Sequence, residues 1–210
     1  MPSSATSASS AASAAELVGI ARRRPALPCG TRIIAIDGPS GSGKTTFAAD
    51  VEAHLTGLTG LAGSTGDESP HAPAEVEVLH MDDLYPGWDG LAAAVPLLSC
   101  QVVEPLAQGR DASYRRYDWE RGVYAESHEI PCTARWLVVE GVGCGAGVIR
   151  PRLSALAWLE ADRETRMRRG LERDGEAYRP HWERWSRQEG AHFAREATRD
   201  HADLVLDTGQ

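Results

Sequence analysis

The octapeptide Gly38-Pro39-Ser40-Gly41-Ser42-Gly43-Lys44-Thr45 constrains this chain more than any other feature. It follows an apolar run with β-branched residues, Arg32–Asp37 (RIIAID), and leads into Lys44–Leu55, which has helical character. The spacing is G-x-x-x-x-G-K-[ST], with an extra glycine at position 41. Residues without a Cβ let backbone N–H groups wrap closely around a polyphosphate, and a helix opening at the end of the loop adds partial positive charge. In such a loop Lys44 reaches the β- and γ-phosphates, the Thr45 hydroxyl ligates Mg²⁺, and Thr46 lies in the same first helical turn. Strand, glycine loop and helix follow in the order the pattern requires.

The rest of the chain repeats the strand–helix alternation. Glu75–His80, Trp136–Glu140, Ala155–Glu160 and Asp203–Asp207 are compact apolar runs that read as strands. Trp88–Leu98, Gln101–Gln108, Asp162–Asp174 and Tyr178–Thr198 read as helices, with Pro96 and Pro105 as boundaries or kinks. Tyr114–Trp119 and His128–Ile130 read as short strands at the edge of a pocket. Strands apolar throughout, alternating with helices, imply an α/β fold whose mostly parallel central sheet is covered on both faces. Residues 1–15, rich in Ser and Ala, are expected to form a disordered tail, Gly57–Ala74 a surface loop, and residues 16–210 a single domain.

Composition excludes several classes. Lys+Arg at 22 against Asp+Glu at 30 gives a net charge of −8, so nothing draws nucleic acid electrostatically. No stretch of about 18 apolar residues predicts a membrane span, and the N-terminus lacks the pattern of a secretory signal. Cys29, Cys100, Cys132 and Cys144 show no paired spacing, which makes a reduced, cytoplasmic protein the default. Lys44 is the only lysine among the 22 cationic side chains.

Three carboxylates fall at strand ends: Asp82 and Asp83 after the second strand, Glu140 at the end of the third. Strand ends beside a phosphate loop converge on the ligand crevice of a parallel sheet. Carboxylates there hold Mg²⁺, or accept the proton of an attacking hydroxyl, and for Asp82 both roles stand open. Gly141–Gly147 also follows a strand and loosely resembles a dinucleotide fingerprint. Arg150-Pro151 interrupts the helix that should follow, so it reads as a strand-end loop.

The phosphate loop in the form IDGPSGSGKTT, then MDDLY, YDW, VVEG and an arginine-rich helix, resembles the uridine kinase-like P-loop kinases, with relatives in phosphoribulokinase and pantothenate kinase. The resemblance runs from about Arg32 to the C-terminus. It implies a three-layer P-loop NTPase fold with a helical lid over about residues 162–185, ATP·Mg²⁺ as donor and a hydroxyl as acceptor. Position by position, Asp82 matches the acid that serves as base or metal partner, Thr45 and Glu140 the magnesium-side residues, and Tyr117 and Asp118 the start of the segment lining the nucleoside site. The histidine and arginine that follow there in the family are absent, since this chain reads Trp119 to Tyr124.

Arg163, Arg166, Arg169 and Arg173 fall on one face of the lid helix, where such a stripe stabilises charge on a transferring group. Arg166 and Arg169 are the catalytic candidates, with Arg173 on the nucleotide. Asp83, Tyr85, Tyr117, Asp118 and Trp119 are the acceptor-side candidates, whereas the spacing of Trp182, Trp185 and Phe193 favours core packing. The expected function is transfer of the γ-phosphoryl group of ATP to a hydroxyl of a small molecule, a nucleoside first. A non-nucleoside alcohol such as a pantothenate- or sugar-like compound, or a nucleotide-binding ATPase module without transfer, are the alternatives.

Overall fold

Three strands of the sequence are apolar at nearly every position, and a strand of that kind needs cover on both faces. In the computed structural model, which describes residues 4–62, 75–176 and 179–209, the elements are α1 (Ser4–Arg23), β1 (Arg32–Asp37), α2 (Lys44–Ala62), β2 (Val76–His80), α3 (Leu91–Leu97), α4 (Glu104–Ala107), β3 (Ala112–Asp118), β4 (Val123–Ile130), β5 (Trp136–Glu140), β6 (Ala155–Glu160), α5 (Arg163–Asp174), α6 (Arg179–Glu196) and β7 (Leu204–Asp207). The sheet order is β2-β5-β1-β6-β7, every pair parallel. The mainly apolar, buried strands β5, β1 and β6 are its centre, and the half-exposed β2 and β7 its edges.

Alternation along the central strands divides the core in two. Ile34, Ile36, Trp136, Val138, Ala157 and Leu159 pack against α1 and α2. Ile33, Ala35, Leu137 and Val139 pack on the opposite face against α3, α4, the base of the β3–β4 hairpin and Trp185 of α6. The result is the expected three-layer α/β fold. No helix among the described residues is long and apolar enough to cross a membrane.

Three details differ from the sequence expectations. The helix α1 extends back to Ser4, into the stretch expected to be a disordered tail; Ala14, Leu17, Val18 and Ala21 pack in one cluster with α2 and the sheet, and the Ser10 hydroxyl donates to Asp50 of α2. Between α3 and α4 the chain does not break at Pro96, which lies inside α3, but continues through a π-helical turn, Leu98–Val103. The short strands expected near residues 114 and 128 are longer and pair with each other as a hairpin separate from the main sheet. The loop expected over Gly57–Ala74 lies partly in α2 and otherwise outside the described residues.

The phosphate loop is fixed from below by Asp37, the last residue of β1. Its carboxylate is fully buried and accepts the backbone N–H groups of Gly38 at 2.7 Å, Gly143 at 3.0 Å and Gly145 at 2.9 Å. The glycine-rich segment after β5 therefore serves as a donor set for Asp37, tying the β1 and β5 strand ends together. A side chain at Gly145 would meet the Asp37 carboxylate at 3.1 Å. Burial pushes the Asp37 carboxyl up from 3.8 to about 6, against the pull of those three amides and of Lys44. Between these two values the folded chain holds more proton here than the unfolded chain. The contribution of Asp37 is thus full at or below pH 3.8 and is lost as the pH rises through about 6. Urea denaturation of wild type and Asp37→Asn from pH 4 to pH 7 should show the wild type losing up to about 3 kcal/mol relative to the variant. A pH-independent difference between the two would contradict this role.

Candidate active site

Two glycines of the phosphate loop lie so close to other backbone that no side chain fits. A Cβ on Gly38 would come within 2.0 Å of the Leu159 carbonyl oxygen, and one on Gly41 within 2.3 Å of that of Arg166. Their φ values of +138° and +78° are also ones that L-residues avoid. The loop is thus wedged between the end of β6 and the first turns of α5, with α2 starting at Lys44 and its N-terminus facing the concavity. Lys44 folds back so that Nζ donates to the Pro39 carbonyl at 3.0 Å, across the mouth of the loop.

The parallel register sets the carboxylates. Glu140 of β5 lies beside Ile36 of β1 on one side and His80 of β2 on the other. Its Oε1 accepts from the Thr45 hydroxyl at 3.1 Å and is 2.7 Å from His80 Nδ1. Burial would raise the Glu140 carboxyl, but the His80 hydrogen bond, the charge of Lys44 and the Thr45 hydroxyl outweigh it and hold it below the ordinary value. The hydrogen bond to Glu140 raises His80 in turn. Asp82 sits one turn beyond the end of β2, in the 3-10 turn Met81–Asp83. It is open to solvent within the cleft, yet enclosed enough by protein that desolvation, and then the charge of Glu140, raises its carboxyl while Arg173 and Lys44 oppose the rise.

These groups line one cleft of about 430 Å³. Its floor is the phosphate loop with Lys44, Thr45 and Thr46, one wall is Asp82 and Glu140, another is Tyr85 and Trp185, and α5 closes it with Arg169 and Arg173. Tyr85 is buried, donates its hydroxyl hydrogen to the Val142 carbonyl at 2.8 Å and meets Trp185 edge-on at 4.8 Å between ring centroids. Thr45 and Glu140, joined by a hydrogen bond at the foot of α2, are oxygen donors of the kind a hard divalent cation takes, and Asp82 faces the same space.

Other expected residues lie elsewhere. Arg166 does not line the cleft. It lies behind the loop, donating to the Ser40 carbonyl at 3.1 Å and the Ala161 carbonyl at 3.2 Å, with its guanidinium over Trp182. Arg169 lines the cleft but is engaged with Gly41 O at 3.3 Å and with Thr208 of the C-terminal segment at 2.6 and 3.0 Å. Arg163 pairs with Glu183, so the stripe of arginines divides into loop-holding and cleft-facing members. Asp83 turns toward Tyr114, whose hydroxyl is pushed up to about 12 by burial and by that neighbouring charge. Asp118 accepts the N–H groups of Glu120 and Arg121 at 3.0 Å each and so shapes the turn between β3 and β4.

Tyr117 packs edge-on against Trp119 and Tyr124, and the Trp119 indole donates to the Asp82 carbonyl at 2.9 Å. Trp88 stacks on His181 at 4.5 Å, 2° from parallel, and meets Trp119 edge-on. Tyr117 and Trp119 therefore form an aromatic shelf beside the cleft, and neither they nor Asp118 line it. Trp182 and Trp185 are buried as their spacing suggests, and Phe193 is partly buried against Trp158, but Trp185 also faces the cleft. Residues not singled out in the sequence complete the site: Asp37, His80, Thr208 and Glu189. A carboxylate at the end of a buried strand, as at Asp37, was the one available signal among them.

The sequence matches the phosphoribulokinase / uridine kinase family over residues 33–181. A comparison with curated proteins finds no significant match. Among solved structures, a possible uridine kinase from Bacillus stearothermophilus superposes with a TM-score of 0.62 at 20% identity, covering 91% of this chain and 97% of its own. A candidate fructose transport system kinase from Silicibacter sp. TM1040 gives 0.55 at 19% identity, covering 92% and 98%. These likenesses establish the fold. With a phosphate loop, strand-end carboxylates and helical cover in the family's order, and a family match across most of its length, the chain belongs to the phosphoribulokinase / uridine kinase family.

Proposed function

We propose that this protein transfers the γ-phosphoryl group of ATP to a hydroxyl of a small molecule, with a nucleoside-like compound as the first choice. The observation that carries the reading is that Lys44 and Thr45 share one cleft with Asp82, Glu140 and Arg173. Asp82 is a second carboxylate beside the Thr45–Glu140 pair, placed where an acceptor hydroxyl can meet it, which a switch that transfers nothing to an alcohol does not require.

The loop amides and Lys44 bind and orient the triphosphate, and their fixed positions mean that little reorganisation is needed as charge moves. Thr45 and Glu140 would hold Mg²⁺, which neutralises phosphate charge when bound. Arg169 and Arg173 bring positive charge into the cleft from α5, while Arg166 supports the loop from behind. Asp82 orients the acceptor hydroxyl and takes its proton. Desolvation by the surrounding cleft walls and the charge of Glu140 raise this carboxyl, which strengthens it as a proton acceptor. Tyr85 and Trp185 wall the acceptor end and exclude water.

A sugar-like or other non-nucleoside alcohol is favoured by a specific observation: Tyr117 and Trp119 are engaged with each other and with the Asp82 turn, outside the cleft lining. The relatives are named for uridine and for a fructose transport system, so nucleosides and sugars both belong in the test. ATP consumption against a panel of nucleosides, vitamins and sugars, with product masses, should single out one chemical class; no consumption above background with any of them would refute the transfer reading. With the acceptor found, Asp82→Asn should lower kcat by about 10²- to 10⁴-fold and leave ATP affinity within a few-fold. Loss of Mg·ATP binding alone would assign Asp82 to the metal instead. Lys44→Ala should reduce turnover by at least about a hundredfold with the fold intact by circular dichroism. Asp118→Ala should cost about 1 kcal/mol of stability through the hairpin turn while turnover stays near that of wild type. A large loss of acceptor affinity would return Asp118 to the substrate site.

A further inference from the structure

Ser40, at the apex of the phosphate loop, has all three of its polar groups bound by the two lid-side helices. Its N–H donates to Glu189 Oε1 at 2.7 Å, its hydroxyl accepts from the Trp185 indole at 2.8 Å, and its carbonyl accepts from Arg166 at 3.1 Å. Trp185 Nε1 also lies 2.7 Å from Glu189 Oε1, so that oxygen receives two N–H donors, and Arg166 Nη1 stands 3.8 Å from Oε2. Glu189 is 3% exposed and Trp185 5% exposed. A carboxylate at this depth needs partners for its charge, and each of those it has is either Ser40 or a group that itself holds Ser40.

We infer that Glu189, with Trp185, is a positioning residue: it holds the apex of the phosphate loop in its anion-binding shape and joins that shape to the placement of α5 and α6. A carboxylate would repel a phosphate it touched, and Oε1 is already occupied by two donors, so Glu189 acts through Ser40 rather than on the ligand. The adjoining wedge at Gly41, where the Arg166 backbone leaves no room for a side chain, means that α5 cannot shift without moving the same stretch of loop. Arg166 then has a defined part as the α5 arm of a junction whose α6 arm is Glu189. In this arrangement lid position and loop shape change together. The inference rests on the reading that the loop holds the phosphates of ATP.

The test uses the full chain with Glu189→Leu and Glu189→Gln. Hydrogen–deuterium exchange of the Ser40 amide without nucleotide reads the clasp, and calorimetric titration with Mg·ATP reads its consequence. In wild type the Ser40 amide should be protected. Glu189→Leu should speed its exchange and weaken Mg·ATP binding, each by about tenfold or more. Glu189→Gln, which keeps a carbonyl oxygen for the two donors, should bring both to within about threefold of wild type. Should Glu189→Leu fail to fold, Trp185→Phe, which keeps an aromatic ring and removes only the indole donor, should show faster exchange and weaker binding in smaller measure. Unchanged exchange and binding in the folded variants would overturn the inference. So would a lower thermal midpoint that glutamine fails to rescue while Mg·ATP affinity stays at the wild-type value, which would make Glu189 a packing residue only. A wild-type chain that binds no Mg·ATP would instead refute the proposed function, a result distinct from a wild type and a leucine variant that bind it equally.

Discussion

A loop that turns its amides toward an anion exposes a row of like dipoles, and something else must hold the backbone in that shape. Here the hold comes from two sides. From below, the buried Asp37 carboxylate gathers the amides of Gly38, Gly143 and Gly145 and so fixes the start of the loop to the segment after β5. From above, Ser40 is bound by Glu189, Trp185 and Arg166. Between these points the loop is wedged on the backbones of Leu159 and Arg166. The rest of the site follows: with the loop fixed against β1 and β5, Thr45 meets Glu140, the β2–β5 register brings His80 beside it, and Asp82 faces the same cleft.

The cationic residues divide along the same line. Arginines do the holding: Arg199 grips Glu160 with two nitrogens at 2.8 and 2.9 Å, Arg169 spans Gly41 and Thr208, and Arg166 spans Ser40 and Ala161. Planar forks suit fixed carbonyl and carboxylate pairs. Lys44, the only lysine of the chain, occupies the one place that calls for a slim, mobile point charge, tethered to Pro39 at the mouth of the loop.

Much of this was legible in the sequence because it is local. RIIAID, WLVVE and ALAWLE name the central strands by their unbroken apolar character, and the phosphate loop carries its whole signal within eight residues. Asp82 and Glu140 were recognisable as acids at strand ends. What was not legible depends on partners distant in sequence. Ser40 and Glu189 are separated by 149 positions, and nothing near either announces the other. The glycines at 143 and 145 read as part of a strand-end loop, but that their amides serve Asp37 shows only in the fold. The stripe of arginines on α5 has the right period, but period alone does not say which members face the cleft and which hold the loop. Asp118 is read as acceptor-side from its match to the family's nucleoside segment, whereas its part in the hairpin turn shows only in the fold. The Ser/Ala segment reads as featureless until α2 supplies the surface against which Ala14, Leu17 and Val18 pack.

The destination of the phosphoryl group separates a kinase from a nucleotide hydrolase. Incubating the protein with Mg·ATP labelled at the γ-phosphorus and a mixture of nucleosides, vitamins and sugars, then following the label by phosphorus NMR and mass spectrometry, tests this most directly. Label found in a phosphate monoester of one compound, and lost in Asp82→Asn, is the expected result. Label found only in inorganic phosphate, at the same rate with and without these compounds, would contradict it and leave a nucleotide hydrolase in its place.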